Sequence, residues 1–399
     1  MTTLDEVLRN AVLAHQGGRL AEAEAGYRQV LRERPSHAYA LYSLSLLQFH
    51  RGEVDDALRS AQAALEQGPG SGRMWNTLGS MFIAARRQRD ARDAYRRATE
   101  VEPAMTEAWY NLGICLRNEG AYDVAIGCLR AALTRTPPFA AAYEALAMLL
   151  YELGRSQEAA QIATLWLARD PSNAKAQHVA ASMSGSNVPV RASDDYVREH
   201  FDAAAAGFDN NLRQLDYRAP ALIAAELKRT VGERALAAVL DAGCGTGLCG
   251  PLIRAMAGRL TGVDLSSKMI DRARTRSVYD ELHVAELSAF LRSNAEAFDA
   301  IVSADTLVYF GALDEPLRAA RAALRPDGLL IFTLESLNGD AATEDHRLQF
   351  HGRYAHSETY VRRAVRDAGL ALETVAHETP RHERLEPVNG FVVTARRER

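Results

Sequence analysis

Along the first 180 residues, apolar positions recur at helical spacing and the pattern restarts every 34 residues. Prolines mark the period at Pro35, Pro69, Pro103, Pro137 and Pro171. A large residue, Leu41, Trp75, Trp109 or Tyr143, precedes each of the last four prolines by 28 positions. Three positions on stand Leu44, Leu78, Leu112 and Leu146, and small residues follow at once: Ser45, Gly79, Gly113 and Ala147. Alanine lies 12 positions before every proline (Ala23, Ala57, Ala91, Ala125, Ala159), and Tyr27, Ala61, Tyr95, Leu129 and Ala163 lie eight before. Large and small residues at fixed places let two helices pack closely and stack on the next pair. The period predicts five helix–turn–helix repeats over about residues 4 to 173, with Ala174 to Ala181 beginning a capping helix.

The pattern then changes. Ser182 to Ser193 (SMSGSNVPVRAS) is polar and has no apolar period, so it reads as a linker. Tyr196 to Leu212 reads as helix with aromatics at Tyr196, Phe201 and Phe208, and Leu215 to Leu227 continues as helix. Short apolar runs follow, separated by amphipathic segments: Leu236 to Leu240, Arg259 to Asp264, Glu281 to Leu287, Phe298 to Ser303 and Leu329 to Leu334. The segments Pro251 to Met256, Ser266 to Arg274, Leu313 to Leu324 and Tyr360 to Ala368 read as helices. Leu372 to His377 and Gly390 to Ala395 read as a last strand pair. This alternation predicts an α/β domain with a mostly parallel sheet. The expected division is an all-α array over 1–181, a linker over 182–194 and an α/β domain over 195–399.

The chemistry concentrates where the first strand ends. Asp241 is followed by Gly243, Gly245 and Gly247 at alternate positions, and Pro251 sits near the first turn of a helix. Such a turn lets a ligand touch bare backbone and points helix N–H groups at an anion. The second strand ends in Asp264, 23 positions after Asp241, where a carboxylate can accept from both hydroxyls of a ribose. Two readings compete. Gly245, Gly247 and Gly250 satisfy the G-x-G-x-x-G of dinucleotide folds. An acid as near as Asp241 would repel a pyrophosphate, whereas the ammonium and sulfonium of S-adenosylmethionine are cations; the second reading is preferred.

Asp241 to Gly247 (DAGCGTG) resembles motif I of Rossmann-like S-adenosylmethionine-dependent methyltransferases, and the resemblance extends over about residues 195 to 395. Asp264-Leu265-Ser266 resembles that family's D-x-S turn, and Leu324-Arg325-Pro326-Asp327-Gly328 with the strand after it matches a common pattern there. The resemblance implies a seven-stranded, mostly parallel sheet whose seventh strand is antiparallel. It implies a cofactor site built from Asp241, Gly243, Gly245, Gly247, Asp264, Leu265, Met269, Glu286, Leu287 and Asp305. Met269 is expected at the adenine edge, Glu286 and Leu287 at the adenine amino group and ring nitrogen, and Asp305 at the methionine end. Glu286 departs from the usual aspartate by one methylene. Tyr196, Phe201 and Phe208 are expected to form a lid, with ordinary helix core as the alternative. The 34-residue repeats resemble the tetratricopeptide family, whose first helices line a concave groove; by position that groove carries Tyr42, Arg73, Asn76, Tyr110, Asn111, Arg117 and Tyr151. A peptide or protein partner is expected there, contacting Tyr110 and Asn111. A structural inner face is the alternative.

Composition narrows this reading without changing it. The chain has 399 residues, of which 47% are hydrophobic and 25% charged, with a formal net charge of −4. That charge gives no general attraction to nucleic acid or anionic membrane. No apolar run is long enough to span a bilayer, and the N-terminus has no signal-peptide core. Cys115, Cys128, Cys244 and Cys249 form neither a disulfide framework nor a zinc spacing, so no metal is expected and the cytoplasm is the expected compartment.

The sulfonium makes its methyl group electrophilic, so the protein has to align a nucleophile and, where needed, take its proton. The D/N-P-P-Y motif of amino-group and nucleobase methyltransferases is absent, with Ser303-Ala304-Asp305-Thr306 in its place. A histidine base is expected among His346, His351 and His356, with His356 and Tyr309 as the catalytic candidates. Arg353 and Tyr354 are expected in the acceptor pocket, Arg353 pairing with an acceptor carboxylate. The leading expectation is a methyltransferase whose array recruits a peptide or protein acceptor. The alternatives are a small-metabolite methyltransferase whose array serves assembly, and a non-catalytic scaffold that senses the cofactor.

Overall fold

The computed structural model describes residues 3–134, 139–232, 234–337, 343–383 and 386–399, and the chain forms two compact units, Met1–Asp170 and Pro171–Arg399. Pro137 of the proline series lies outside the described residues.

Among the described residues the first unit forms ten helices packed in pairs: α1 (Leu4–Gln16) with α2 (Leu20–Glu33), α3 (Ala38–His50) with α4 (Val54–Glu66), α5 (Gly72–Ala84) with α6 (Gln88–Val101), α7 (Thr106–Asn118) with α8 (Tyr122–Leu133), and α9 (Ala140–Glu152) with α10 (Ser156–Arg169). The repeat columns have direct physical roles. A Cβ on Gly79 would strike the ring of Tyr95, and one on Gly113 would strike Leu129, so each small residue admits the large residue of the partner helix. The prolines act through their carbonyls: Trp75 Nε1 donates to Pro69 O at 2.8 Å and Trp109 Nε1 to Pro103 O at 2.9 Å. Polar rungs join successive repeats, Tyr42 to Thr77 at 3.1 Å, Asn111 to Asn76 at 3.0 Å and Arg117 to Glu152 at 3.1 Å.

The second unit opens with α11 (Ala174–Ser184), α12 (Asp194–Ala204), α13 (Phe208–Gln214) and α14 (Ala219–Val231). Then come β1 (Leu236–Ala242), α15 (Gly250–Ile253), β2 (Ala257–Asp264), α16 (Ser267–Thr275), β3 (Glu281–Val284), α17 (Leu287–Arg292) and β4 (Phe298–Ser303). The chain ends with α18 (Asp314–Ala323), β5 (Leu324–Ser336), β6 (His346–Leu348), β7 (Tyr354–His356), α19 (Glu358–Asp367), β8 (Ala371–Glu383) and β9 (Glu386–Arg396). Strands β3, β2, β1, β4 and β5 are adjacent in that order and parallel. β9 runs antiparallel to β5 over Leu329–Glu335, and β8 pairs antiparallel with β9. The core is therefore buried on both faces of the sheet: Ile223, Leu227 and Ile253 pack on one, and Leu317, Val361 and Val365 on the other.

Three details add to or differ from the expected layout. The segment read as a linker, whose packing the side-chain pattern leaves open, is packed. α11 runs on to Ser184 and stops at Gly185 in the left-handed conformation (φ 65°). Val190 O then accepts from Gly311 N and Ala312 N, both at 2.9 Å, Ala192 N donates to Tyr309 O at 2.8 Å, and Tyr354 Oη donates to Pro189 O at 2.6 Å. Second, Arg325–Gly328 lies within β5 as a bulge opposite β4, with Asp327 at φ 64°, rather than as a turn ahead of the strand. Third, the insertion after β5 adds the β6–β7 hairpin, with β7 parallel to the end of β5 at Glu335 and Ser336.

These contacts predict that residues 171–399 fold as an isolated unit, while residues 195–399 are less stable. The shorter fragment loses the bonds of Pro189, Val190 and Ala192 and that between His178 Nε2 and Gly352 O at 2.8 Å. At about 1 kcal/mol for each buried bond, the deficit is on the order of 3–5 kcal/mol. Denaturant unfolding of the two fragments measures it, and equal stabilities would mean that the strap adds nothing.

Candidate functional site

The site lies at the carboxyl ends of the parallel strands, where loops leave the sheet. Gly243, Gly245 and Gly247 have φ values of 74°, 54° and 84°, a region closed to most side-chain-bearing residues. Gly243 has a second constraint, because its Cβ would overlap the Thr306 side chain. Gly243 N and Cys244 N donate to Val263 O at 2.8 and 2.9 Å, which draws the loop onto the end of β2. There Asp264 accepts from Gly245 N at 2.9 Å through one carboxylate oxygen and from Ser266 N at 2.8 Å through the other. One carboxylate thus holds both turns. Burial raises its pKa, opposed by the backbone N–H groups of Ser266, Gly245 and Leu265.

Asp241 is 1% exposed and accepts from Tyr279 Oη at 2.6 Å. Burial pushes its carboxyl up to about 7, against the tyrosine bond, and the negative charge of Asp264 adds to the rise. The expected helix N-terminus after the loop is absent as an anion site. α15 is a single turn followed by a 3₁₀ turn over Arg254–Met256, because β2 begins at Ala257.

These loops floor a cavity of about 410 Å³ whose roof is α12 and α13. Asp241, Gly243, Gly245, Asp264, Leu265, Glu286, Leu287, Asp305, Tyr309 and Arg353 all line it. Phe201 and Phe208 of the expected lid face it and meet edge to face at 5.9 Å, and Phe201 also meets Tyr309 at 5.4 Å. Tyr196 does not line the cavity; it stacks on His178 of α11 at 3.9 Å. Glu286 lines the wall while capping α17, accepting from Ser288 N at 3.0 Å and Ala289 N at 2.7 Å.

Several expected positions are corrected. Met269 is fully buried on α16 and Gly247 packs against Tyr279, and neither borders the cavity. Tyr354 is buried with its hydroxyl spent on Pro189 O. His356 is fully buried, with Nε2 at 2.9 Å from Phe310 O and 3.1 Å from Gly311 O. Burial pushes its pKa down to about 4, and it does not border the cavity, so it is not placed to take a proton from a bound acceptor. His346 and His351 do not border the cavity either. Tyr110 and Asn111 need no such correction: they lie on α7, the first helix of its pair, Tyr110 edge to face with Phe139 at 5.2 Å and Asn111 bonded to Asn76.

Arg353 borders the cavity but is already paired, with Glu335 at 2.5 Å and with Glu383. Arg381, 3% exposed, bridges Asp305 at 2.8 Å, Glu383 at 2.9 Å and Glu335. Asp305, at φ 53°, also accepts from Thr333 Oγ1 at 2.7 Å. The guanidinium of Arg353, with His351 and Arg381 behind it, outweighs burial and holds Glu335 down to about 2. Local periodicity does not mark Arg381, Glu335 and Tyr279, nor Tyr217, which lines the cavity. His200 was also missed, although it stands in the aromatic lid segment; it borders the cavity and meets the ring of Phe201 at 5.2 Å. Among the described residues, no group of three or more His, Cys, Asp or Glu could hold a metal ion, and no helix is long and apolar enough to cross a membrane.

Fold and site together define an α/β unit of the methyltransferase type behind an α-helical repeat array. Comparison with known proteins agrees. Residues 239–328 match the family model of a methyltransferase domain, and residues 8–72, 76–138 and 119–174 match that of the tetratricopeptide repeat. The chain is a tetratricopeptide-repeat protein with a methyltransferase domain. It is 36% identical over 91 residues to a peroxisomal targeting signal receptor of Candida glabrata, covering 23% of this chain and 15% of the receptor. It is 30% identical over 133 residues to a malonyl-[acyl-carrier protein] O-methyltransferase of Salmonella typhimurium, covering 33% of this chain and 51% of that enzyme. The chain thus spans about a seventh of the first relative's length and about half of the second's. Among solved structures, a 1,6-didemethyltoxoflavin-N1-methyltransferase of Burkholderia thailandensis matches at 21% identity with a TM-score of 0.43, over 53% of this chain and 93% of that one. YrrB, a TPR protein with an unusual peptide-binding site, matches at 23% identity with a TM-score of 0.40, over 44% of this chain and 91% of that one.

Two buried acids give opposite pH dependences. Glu335 has a folded pKa below its ordinary 4.5, so its stabilisation is present above that pH and is lost as pH falls toward 2. Asp241 has a folded pKa above its ordinary 3.8, so its contribution is complete below that pH and is lost as pH rises through about 7. Glu335→Gln should cost on the order of 3 kcal/mol at pH 7, since it strips a buried partner from two arginines. Asp241→Asn should flatten the decline between pH 4 and 7. Urea titrations across pH measure both, and an unchanged midpoint in Glu335→Gln would show that the ion cluster is not holding the fold.

Proposed function

We propose that the second unit transfers a methyl group from S-adenosylmethionine to an acceptor, and that the repeat array recruits a peptide or protein bearing it. The observation that carries the first part is the placing of Asp264. Its carboxylate stands at the end of β2 and lines the cavity beside a loop of three left-handed glycines. The residues fit that cofactor on two counts. Bare backbone faces the cavity at Gly243 and Gly245, and the lining supplies carboxylates at Asp241, Asp264, Glu286 and Asp305 for a ligand with hydroxyls and two cationic centres. Asp264 would hold the ribose, Glu286 and Leu287 the adenine, and Asp241 and Asp305 the methionine end.

The bound cofactor supplies an electrophilic methyl group on a sulfonium. The chain's own residues do the rest. Phe201 and Phe208 exclude water from above, and Tyr309 and Phe310 wall the acceptor side. His200 is the histidine in the cavity wall and takes the role of base that His356 is too deeply buried to fill. One relative is by name a malonyl-[acyl-carrier protein] O-methyltransferase. Here Arg353 and Arg381 already meet three carboxylates, so neither stands ready to pair with an acceptor carboxylate.

The array supports recruitment through a face that combines Tyr42, Asn76, Tyr110, Asn111 and Arg117, in a fold whose relatives include a receptor for targeting signals. The roofed cavity favours a second reading as well, a small-metabolite acceptor with the array used for assembly.

Calorimetry should show binding of S-adenosylmethionine and S-adenosylhomocysteine and none of NAD. Asp264→Ala should weaken both by about 1.5–3 kcal/mol, roughly ten- to a hundredfold. Unchanged affinity would remove Asp264 from the ribose site. Once labelled-methyl transfer into lysate has identified the acceptor, residues 171–399 should show a raised KM for it and unchanged cofactor affinity. Equal kcat/KM for that fragment and the full chain would reject recruitment and favour the small-metabolite reading.

A further inference from the structure

The two faces of α13 do different work. Phe208, Asn211, Leu212 and the following Leu215 face the main cavity, whereas Asp209, Asn210 and Arg213 face a second recess of about 230 Å³ between α13 and α16. Its far wall is Arg272, Thr275 and Arg276, spaced i, i+3 and i+4, so all three share one side of α16 and its C-terminal turn.

Three guanidiniums and one carboxylate converge there. The carboxylate is fully engaged: Asp209 accepts from Thr246 Oγ1 through one oxygen and from Arg276 Nη2 through the other, both at 2.5 Å. Arg276 Nε donates to Thr246 O at 2.5 Å, and Arg272 donates to the carbonyls of Ala205 and Ala206 at 3.2 and 2.5 Å. The guanidinium of Arg213 has no partner among the described residues. After the one ion pair, two positive charges remain at the mouth of a single recess. Arg276 is offset by Asp209, whereas Arg272, four positions before it on the same helix, meets only carbonyls, so Arg272 and Arg213 are the charges that an added anion would offset.

We propose that this recess binds a phosphate dianion, either free phosphate or the phosphomonoester of a small metabolite, and that the bound anion fastens α13 over the main cavity. A tetrahedral group presents oxygens in enough directions to meet guanidiniums from two helices, and arginine forks match phosphate geometry. The recess shares Asp209 with the glycine loop through Thr246, so an anion that joins Arg213 to Arg272 and Arg276 also tightens the roof on that loop. An anion that binds only the closed roof stabilises closure by linkage. This inference concerns the exterior of the roof and stands whatever ligand the main cavity takes.

The test is hydrogen–deuterium exchange on the full-length protein, titrated with inorganic phosphate and separately with glycerol 3-phosphate, at ionic strength held constant with sodium chloride. The expected result is saturable slowing, at least threefold, of amides in residues 205–214 and 267–276, abolished in Arg213→Ala and partly kept in Arg213→Lys. Arg213 has no bond to lose, so the variant's circular dichroism spectrum should match wild type. Tenfold tighter action by glycerol 3-phosphate identifies an organic phosphate as the ligand, and equal action identifies free phosphate. No slowing, slowing matched by chloride alone, or slowing kept in Arg213→Ala would overturn the proposal.

Discussion

The site of the second unit depends on one carboxylate accepting from two backbone amides. Asp264 joins Gly245 in the loop after β1 to Ser266 in the turn after β2. Without it, two amides near the end of a buried sheet would lose their partner, and the glycine loop would lose its anchor to the neighbouring strand. The fit is closed from the other side by Thr306, which donates to Gly243 O at 3.3 Å and leaves no room for a Cβ at that glycine. Loops after β1, β2 and β4 are therefore mutually fixed before any ligand arrives. Such preorganisation is what a site needs if binding energy is to be spent on orientation.

How much of this could be read from the residues depends on how local each interaction is. The repeat array was legible because a 34-residue period repeats its own packing rule, and Gly79 against Tyr95 shows the rule within one hairpin. The glycine loop was legible because its conformational demand falls on consecutive residues. The ion cluster was not, since Arg381 reaches Asp305 across 76 positions and Glu335 across 46, and no periodicity in a single chain records such a pairing. The histidine-rich insertion was misread for a related reason. Its residues look like surface chemistry, but the β6–β7 hairpin turns His356 inward, where carbonyls of Phe310 and Gly311 take its ring nitrogen. The packing of the polar stretch after α11 was not legible, because its bonds to Gly311, Ala312 and Tyr309 are made by backbone, which side-chain pattern does not report.

The second unit also separates charge by position, and this bears on what the cavity accepts. In the cluster at the cavity wall, Asp305, Glu383 and the buried Glu335 meet Arg353 and Arg381, three carboxylates to two guanidiniums. Across α13, Arg213, Arg272 and Arg276 face Asp209 alone. The cluster at the cavity wall is thus acidic on balance and the recess beside α13 basic. A carboxylate nucleophile entering the cavity would add a further anion to an end already in excess. An amine or hydroxyl that brings its own proton adds none. Such a nucleophile has to lose that proton, and on the proposed reading the side chain placed to receive it is His200, which lines the cavity, rather than the buried His356.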